Sequence, residues 1–148
     1  MLRTRYSFPA ELQRQSDGSF LVRFPDLPEA ITDGTTQTEA LAEAADCLSE
    51  ALAGRIRRGE PIPAASPVAG DMHSVEPDAS ITLKTALYSV LRDRRMTAAD
   101  LARDLGIDER KAARLIDPRA TSSLTSLEDA LAVFGYEIGI EVRQKSVA

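Results

Sequence analysis

Tyr6, Phe8, Ala10 and Leu12 occupy alternate positions, and Phe20, Val22 and Phe24 alternate again a few residues later. A period of two is the signature of a half-buried strand. Asp17-Gly18, between the two runs, is a turn signal. Pro9 removes an amide donor, so the first strand should lie at an edge or pair on one side only at that point. The stretch PDLPEAITDGTT turns the chain again at its two prolines and carries a short strand around Ala30–Thr32. A three-stranded meander results.

The period then changes. Leu41, Ala44, Ala45, Leu48, Leu52 and Ile56 recur at helical spacing and form one apolar stripe. Thr36 can cap this helix, and Glu39 three residues on would complete a capping box. Arg55, Arg57 and Arg58 fall in the last turn, where they complement the carbonyl end of the dipole, and Gly59 ends the helix. GEPIPAASPVAGD, residues 59–71, reads as a loop or linker. A weak strand near Met72–Val75 would return to the sheet and close a β-β-β-α-β unit.

Helical spacing governs most of the second half of the chain. SITLKTALYSVLRDRR places Leu83, Leu87, Val90 and Leu91 on one face. TAADLARDLG is a short helix capped by Thr97, and DERKAARLI a second capped by Asp108. SLTSLEDALAVFG is a further helix, with Thr125 and Glu128 as its capping box and Gly135 as its stop. The tail alternates once more: Ile138, Ile140 and Val142 face one way, Glu137, Gly139 and Glu141 the other. That predicts a strand with one apolar face, and a lone strand is unstable. Pairing with the same strand of a second copy would close both edges and make a homodimer or a higher homo-oligomer. Pairing with the N-terminal sheet is the rival. The expected architecture is α+β, divided at 1–76 and 77–148.

Residues 99–116 have the features of a helix-turn-helix. Close crossing of two helices needs a small residue, which Ala102 supplies; the turn needs a residue tolerant of positive φ, which Gly106 supplies. Leu101, Leu105, Ile107 and Leu115 would pack the pair onto its neighbours, and Ala112 stands where a branched aliphatic residue is more usual. Glu109, Arg110, Lys111 and Arg114 face outward. Arginine reads guanine bidentately, and both basic side chains neutralise phosphate. Arg110, Lys111 and Arg114 are thus the candidate DNA readers, with Thr97 and Arg119 as backbone anchors. Asp108 and Glu109 oppose phosphate.

Charge sharpens this picture. The 148 residues carry a net charge of −5, which argues against nonspecific coating of nucleic acid. Yet residues 84–119 hold nine Lys or Arg against six Asp or Glu, while residues 1–70 hold seven against ten. The positive part coincides with the helix pair. Hydrophobic residues at 43% allow a packed core, and the absence of a long apolar run predicts no membrane span. The first residues lack a secretory signal pattern, and Cys47, the single cysteine, permits no internal disulfide. A cytoplasmic protein is expected.

The residues in FPDLPEAITDGTTQTEAL (24–41), with YSFPAEL before them and GEPIP after, resemble the HicB antitoxins of bacterial HicA–HicB toxin–antitoxin modules. Glu29-Ala30 stand where most members carry a Gly-Cys or similar pair. KTALYSVLRDRRMTAADLARDLGI through SSLTSLEDALAVFG resembles the helix-turn-helix tail of one HicB subgroup. The resemblance implies an N-terminal domain similar to a truncated ribonuclease H-like fold without that enzyme's activity. It implies that this domain binds a HicA-like toxin, a small mRNA-cleaving ribonuclease, and covers its active site. It implies further that the tail binds operator DNA and represses the module. The toxin-contacting region would then be the Phe24–Gly34 loop: Phe24, Pro25, Asp26, Leu27, Pro28, Asp33 and Gly34.

No catalytic constellation emerges. A two-metal nuclease site needs several carboxylates on strands, but Glu11 is nearly alone there; Asp17, Asp26 and Asp33 fall in turns. His73 has no second ligand and reads as a solvated bystander beside the linker. No nucleophile elbow or phosphate-binding glycine loop occurs. No cofactor or metal is expected, and the protein is read as a non-enzyme. The alternative to an antitoxin is a helix-turn-helix regulator with a ligand- or protein-sensing N-terminal domain, outside any toxin–antitoxin module.

Overall fold

Asp17 and Gly18 close the first hairpin. The Asp17 carboxylate accepts from the Ser19 amide at 2.9 Å, and Gly18 takes φ +87°, a conformation open chiefly to glycine. A computed structural model describes residues 6–145 of the chain. Its elements are β1 (Phe8–Arg14), β2 (Phe20–Phe24), β3 (Leu27–Gly34), α1 (Gln37–Arg58), β4 (His73–Val75), α2 (Ala79–Asp93), α3 (Ala98–Leu105), α4 (Glu109–Ile116) and α5 (Leu124–Val133).

The four strands form one antiparallel sheet in the order β3-β2-β1-β4. β1 serves two partners in succession. Phe8, Pro9 and Ala10 pair with Val75, Ser74 and His73, and pairing with β2 begins only at Glu11. Pro9 therefore lies where the strand is paired on one side, as its missing amide requires. β3 is longer than the short strand expected around Ala30–Thr32, because Leu27 already pairs with Phe24 across an irregularity at Arg23/Phe24. His73 belongs to β4 and is half-buried opposite Ala10, so it is not a solvated linker residue.

α1 lays its stripe on the sheet. Ala40, Ala44, Leu48 and Leu52 bury against Phe8, Ala10, Val22, Phe24, Leu27 and Ala30. Gly34 makes the close entry: a Cβ there would come within 2.6 Å of Ala40 Cα. Thr36 caps the helix by accepting from the Glu39 amide at 3.1 Å. The Glu39 carboxylate, however, takes the Thr35 hydroxyl instead of reaching back to the Thr36 amide, so the expected box is half formed.

The connection after α1 is pinned. The Arg55 guanidinium donates to the Pro61 carbonyl at 3.1 Å. Asp26, in the β2–β3 turn, accepts from the Ser66 amide at 2.8 Å and the Ser66 hydroxyl at 2.6 Å.

α2 to α5 enclose a second core of Leu87, Leu91, Leu101, Ala102, Ala112, Leu115, Leu127, Ala130, Leu131 and Phe134. A polar seam joins the cores: the Asp78 amide donates to Ser49 Oγ at 2.9 Å, Tyr88 to the Glu60 carbonyl at 2.7 Å and Arg92 to the Gly59 carbonyl at 2.6 Å. Two expectations fail here. α5 starts earlier than Thr125; Ser123 is its cap, accepting from the Ser126 amide at 3.1 Å, and the Thr125–Glu128 box does not form. Residues 136–145 belong to no strand. A strand exists only with a ladder partner, and the tail pairs with none among the described residues. Ile138 packs half-buried on the second core, while Ile140 and Val142 are 73% and 92% exposed.

Candidate functional site

α3 and α4 meet through small residues. Ala102 and Ala112 are both buried between them. Gly106 turns the chain at φ +67°, and the Ile107 amide closes back on the Ala102 carbonyl at 3.0 Å. Ala112 thus makes the close crossing two-sided, which accounts for its small size. Thr97 and Asp100 form a complete reciprocal capping box on α3, with the Thr97 amide donating to Asp100 Oδ2 at 2.8 Å. Asp108 caps α4 through the Lys111 amide at 2.8 Å.

The far end of α4 is held by a residue that sequence reasoning passed over. Lys84 of α2 is completely buried, and its ammonium donates to the Arg114 carbonyl at 2.8 Å, the Asp117 carbonyl at 2.7 Å and Ser122 Oγ at 2.9 Å. The last carbonyls of a helix have no partners within it, and a buried cation meets that need. Burial pulls the Lys84 pKa below its ordinary 10.5, and the Asp117 charge partly opposes this. The signal was its register: Lys84 stands three residues after Ile81 and three before Leu87, on the apolar stripe of α2.

This clamp presents one face of α4 to solvent. Arg110, Lys111 and Arg114 are exposed, and none has a side-chain hydrogen bond or ion pair among the described residues. Arg103, by contrast, is held by Asp100 at 2.8 Å. Arg119 is exposed, and its amide donates to the Asp117 carboxylate at 2.9 Å. The Thr97 hydroxyl is occupied by its own capping box.

The residues of the β2–β3 region separate into two sets. Phe24, Leu27 and Gly34 are buried in the fold, whereas Pro25, Pro28 and Asp33 are exposed and Asp26 is held by Ser66. On the open face of the sheet an accessible hollow is lined by Glu11, Arg23, Phe24, Pro25, Pro28 and Ile31. Glu11 and Arg23 face each other across β1 and β2, and Arg23 pairs in turn with Ile31, which is 51% exposed. Glu11 was considered only as a lone strand carboxylate, and Arg23 and Ile31 were not singled out from the sequence; Glu11 and Arg23 belong to the polar half of the alternation that marked β1 and β2. Behind them, Arg55 grips Glu29 with two bonds of 2.6 and 3.0 Å and holds its carboxyl below the usual range.

Comparison with known proteins bears on both regions. Residues 7–95 match the model of the HicB-like antitoxins of bacterial toxin–antitoxin systems. Antitoxin HicB 1 of Photorhabdus laumondii is 28% identical over 135 residues, covering 91% of this chain and 86% of the relative. Antitoxin HicB 2 of the same organism is 33% identical over 131 residues, 88% of this chain and 92% of the relative. Antitoxin HicB of Escherichia coli is 29% identical over 133 residues, 90% of this chain and 96% of the relative.

Proposed function

Since this chain belongs to the HicB-like antitoxin family, we propose that it binds and neutralises a HicA-type mRNA-cleaving toxin and represses its own operon by binding operator DNA. The toxin arm rests on the sheet half, which lies wholly within the matched residues 7–95. That half is read as a partial ribonuclease H-like fold, with the strand order β3-β2-β1-β4 and α1 crossing from β3 to β4. It acts by occlusion, without catalysis of its own. The contact surface is the exposed set Pro25, Pro28 and Asp33 with the adjoining hollow around Glu11, Arg23 and Ile31. Residues 1–70 carry a net negative charge, which suits a basic ribonuclease.

The DNA arm rests on one observation above the others: Arg110, Lys111 and Arg114 project from α4 with no acidic partner among the described residues, although the chain as a whole is acidic. α3 and α4 are read as a helix-turn-helix with α4 as its recognition helix. The protein works in the cytoplasm, where both the message and the operator are found.

Co-expression tests the whole reading. The full chain should co-purify with the product of the adjacent short gene and restore growth to cells expressing it. Growth arrest that persists despite a soluble, folded chain would remove the antitoxin assignment.

Dimerisation through the tail is part of the same proposal. A lone helix-turn-helix reads one half-site, and two copies reading half-sites about one DNA turn apart are the common arrangement. Ile140 and Val142 lie exposed with no strand partner among the described residues, as an interface for a second copy would. A chain ending at Gly135 should sediment as a monomer, lose most operator affinity and keep toxin binding. A dimer that survives this cut would place the interface elsewhere.

A further inference from the structure

The three arginines at the end of α1 do not share one role. Arg55 is bound to Glu29 and to the Pro61 carbonyl, and Arg58 to Glu60 at 2.7 Å. Arg57, between them, is exposed and makes no hydrogen bond or ion pair among the described residues. The helix end does not require it, since the Gly59 amide already closes on the Ile56 carbonyl at 3.2 Å. Arg57 lies across the seam between the two halves. With Ile56 it lines an open hollow whose other walls are Ala98 at the start of α3, Ala113 and Ile116 of α4, and the Asp117-Pro118-Arg119 turn.

That hollow carries a second free guanidinium, Arg119, and adjoins the first-turn amides of α3. Its one acidic residue, Asp117, turns its carboxylate to the Arg119 amide, so the hollow sets two guanidiniums against one carboxylate. The floor of Ala98, Ala113 and Ile116 is small and apolar, so nothing in it competes for an anion. Ala113 is next in sequence to Arg114, making the hollow continuous with the exposed face of α4.

We infer that Arg57, a residue of the toxin-binding half, is a backbone contact for duplex DNA: with Arg119 it holds a phosphate beside the base pairs read by α4. The inference rests on the DNA-binding reading above. It makes the DNA footprint extend across the seam, so that the α1–α2 hydrogen bonds of Tyr88 and Arg92 also position a DNA contact.

The test measures binding of the full chain, Arg57→Ala and Arg57→Lys to operator and scrambled duplexes between 50 and 200 mM salt. Each phosphate contact contributes about 0.9 to the slope of log affinity on log salt. Arg57→Ala should therefore lower that slope by about 0.9, so that its deficit against the natural chain shrinks about threefold over this salt range. The loss should be equal for operator and scrambled DNA, and Arg57→Lys should restore the slope. An unchanged slope, or a loss confined to the operator, overturns the inference, as does weakened toxin binding with DNA binding intact. If the natural chain itself shows no preference for the operator, the DNA-binding reading fails and this inference with it. If the natural chain binds and Arg57→Ala matches it, only this inference fails.

Discussion

Replacing Arg110, Lys111 and Arg114 together by alanine should reduce operator affinity by about a thousandfold or more while leaving toxin binding unchanged. A well-placed base contact contributes roughly 1–3 kcal/mol, and each lost phosphate contact weakens binding to all sequences. Three such losses come to roughly 3–9 kcal/mol, and the middle of that range, about 6, exceeds the roughly 4 that make three powers of ten. The fold should not suffer. All three side chains are exposed, the Asp108 cap uses the Lys111 amide and not its ammonium, and alanine is the better helix former. Electrophoretic mobility shift with operator DNA reads the effect, with circular dichroism as the control for folding. A folded triple variant that shifts the operator with unaltered affinity would remove α4 from the role of recognition helix.

Lys84→Met should destabilise the protein by roughly 3 kcal/mol in chemical denaturation. Methionine fills much the same space but donates nothing, leaving the Arg114 and Asp117 carbonyls without the bonds of 2.8 and 2.7 Å that now satisfy them. Buried acceptors stripped of their donor cost far more than an exposed ion pair contributes. The pH dependence has a definite sign. Burial depresses the Lys84 pKa in the folded state, so between that value and 10.5 the unfolded chain binds more protons than the folded one. The Lys84 contribution is smallest below the folded pKa and rises as pH climbs toward 10.5. The stability gap between the natural chain and Lys84→Met should widen over that interval. A variant within about 0.5 kcal/mol of the natural chain would show that the clamp is dispensable.

Lys84 also marks where sequence reading reached its limit. The alternation at Phe8, Ala10, Val22 and Phe24, the helical stripe at Ala44, Leu48 and Leu52, and the turns at Gly18, Gly59 and Gly106 were all legible. Each is a local rule, decided within a few residues. The return of β4 near Met72–Val75 was also read correctly, as the weak strand that closes the β-β-β-α-β unit after the linker. Lys84 was not legible because composition places lysine on the surface, and only the three-dimensional convergence of Arg114, Asp117 and Ser122 makes a buried cation favourable. Arg57 was grouped with Arg55 and Arg58 for the same reason: three neighbouring arginines look alike until Glu29 and Glu60 claim two of them. The tail failed in the opposite sense. Its alternation predicts a strand, but alternation supplies only a face, and the ladder requires a partner that the sequence of one chain does not name. Two capping details are of a third kind: Thr36 caps α1 as expected but the Glu39 carboxylate is taken by the neighbouring Thr35 hydroxyl, and Ser123 starts α5 two residues before the expected Thr125 cap.

The divided pairing of β1 sets an order of assembly. Its C-terminal half meets β2 across a tight hairpin, whereas Phe8–Ala10 must wait for His73–Val75, about 65 residues further along the chain. The hairpins and α1 can collapse locally on a fast timescale, but the sheet acquires its fourth strand only after the long connection has crossed. Ser66 meets Asp26 partway along that route and so divides one large closure into two smaller ones. α2 begins four residues after β4 ends and carries Lys84, the residue that fixes α4. A change that slowed this closure would therefore delay completion of the sheet while leaving intact the separate core and the Lys84 bonds that hold the basic helix.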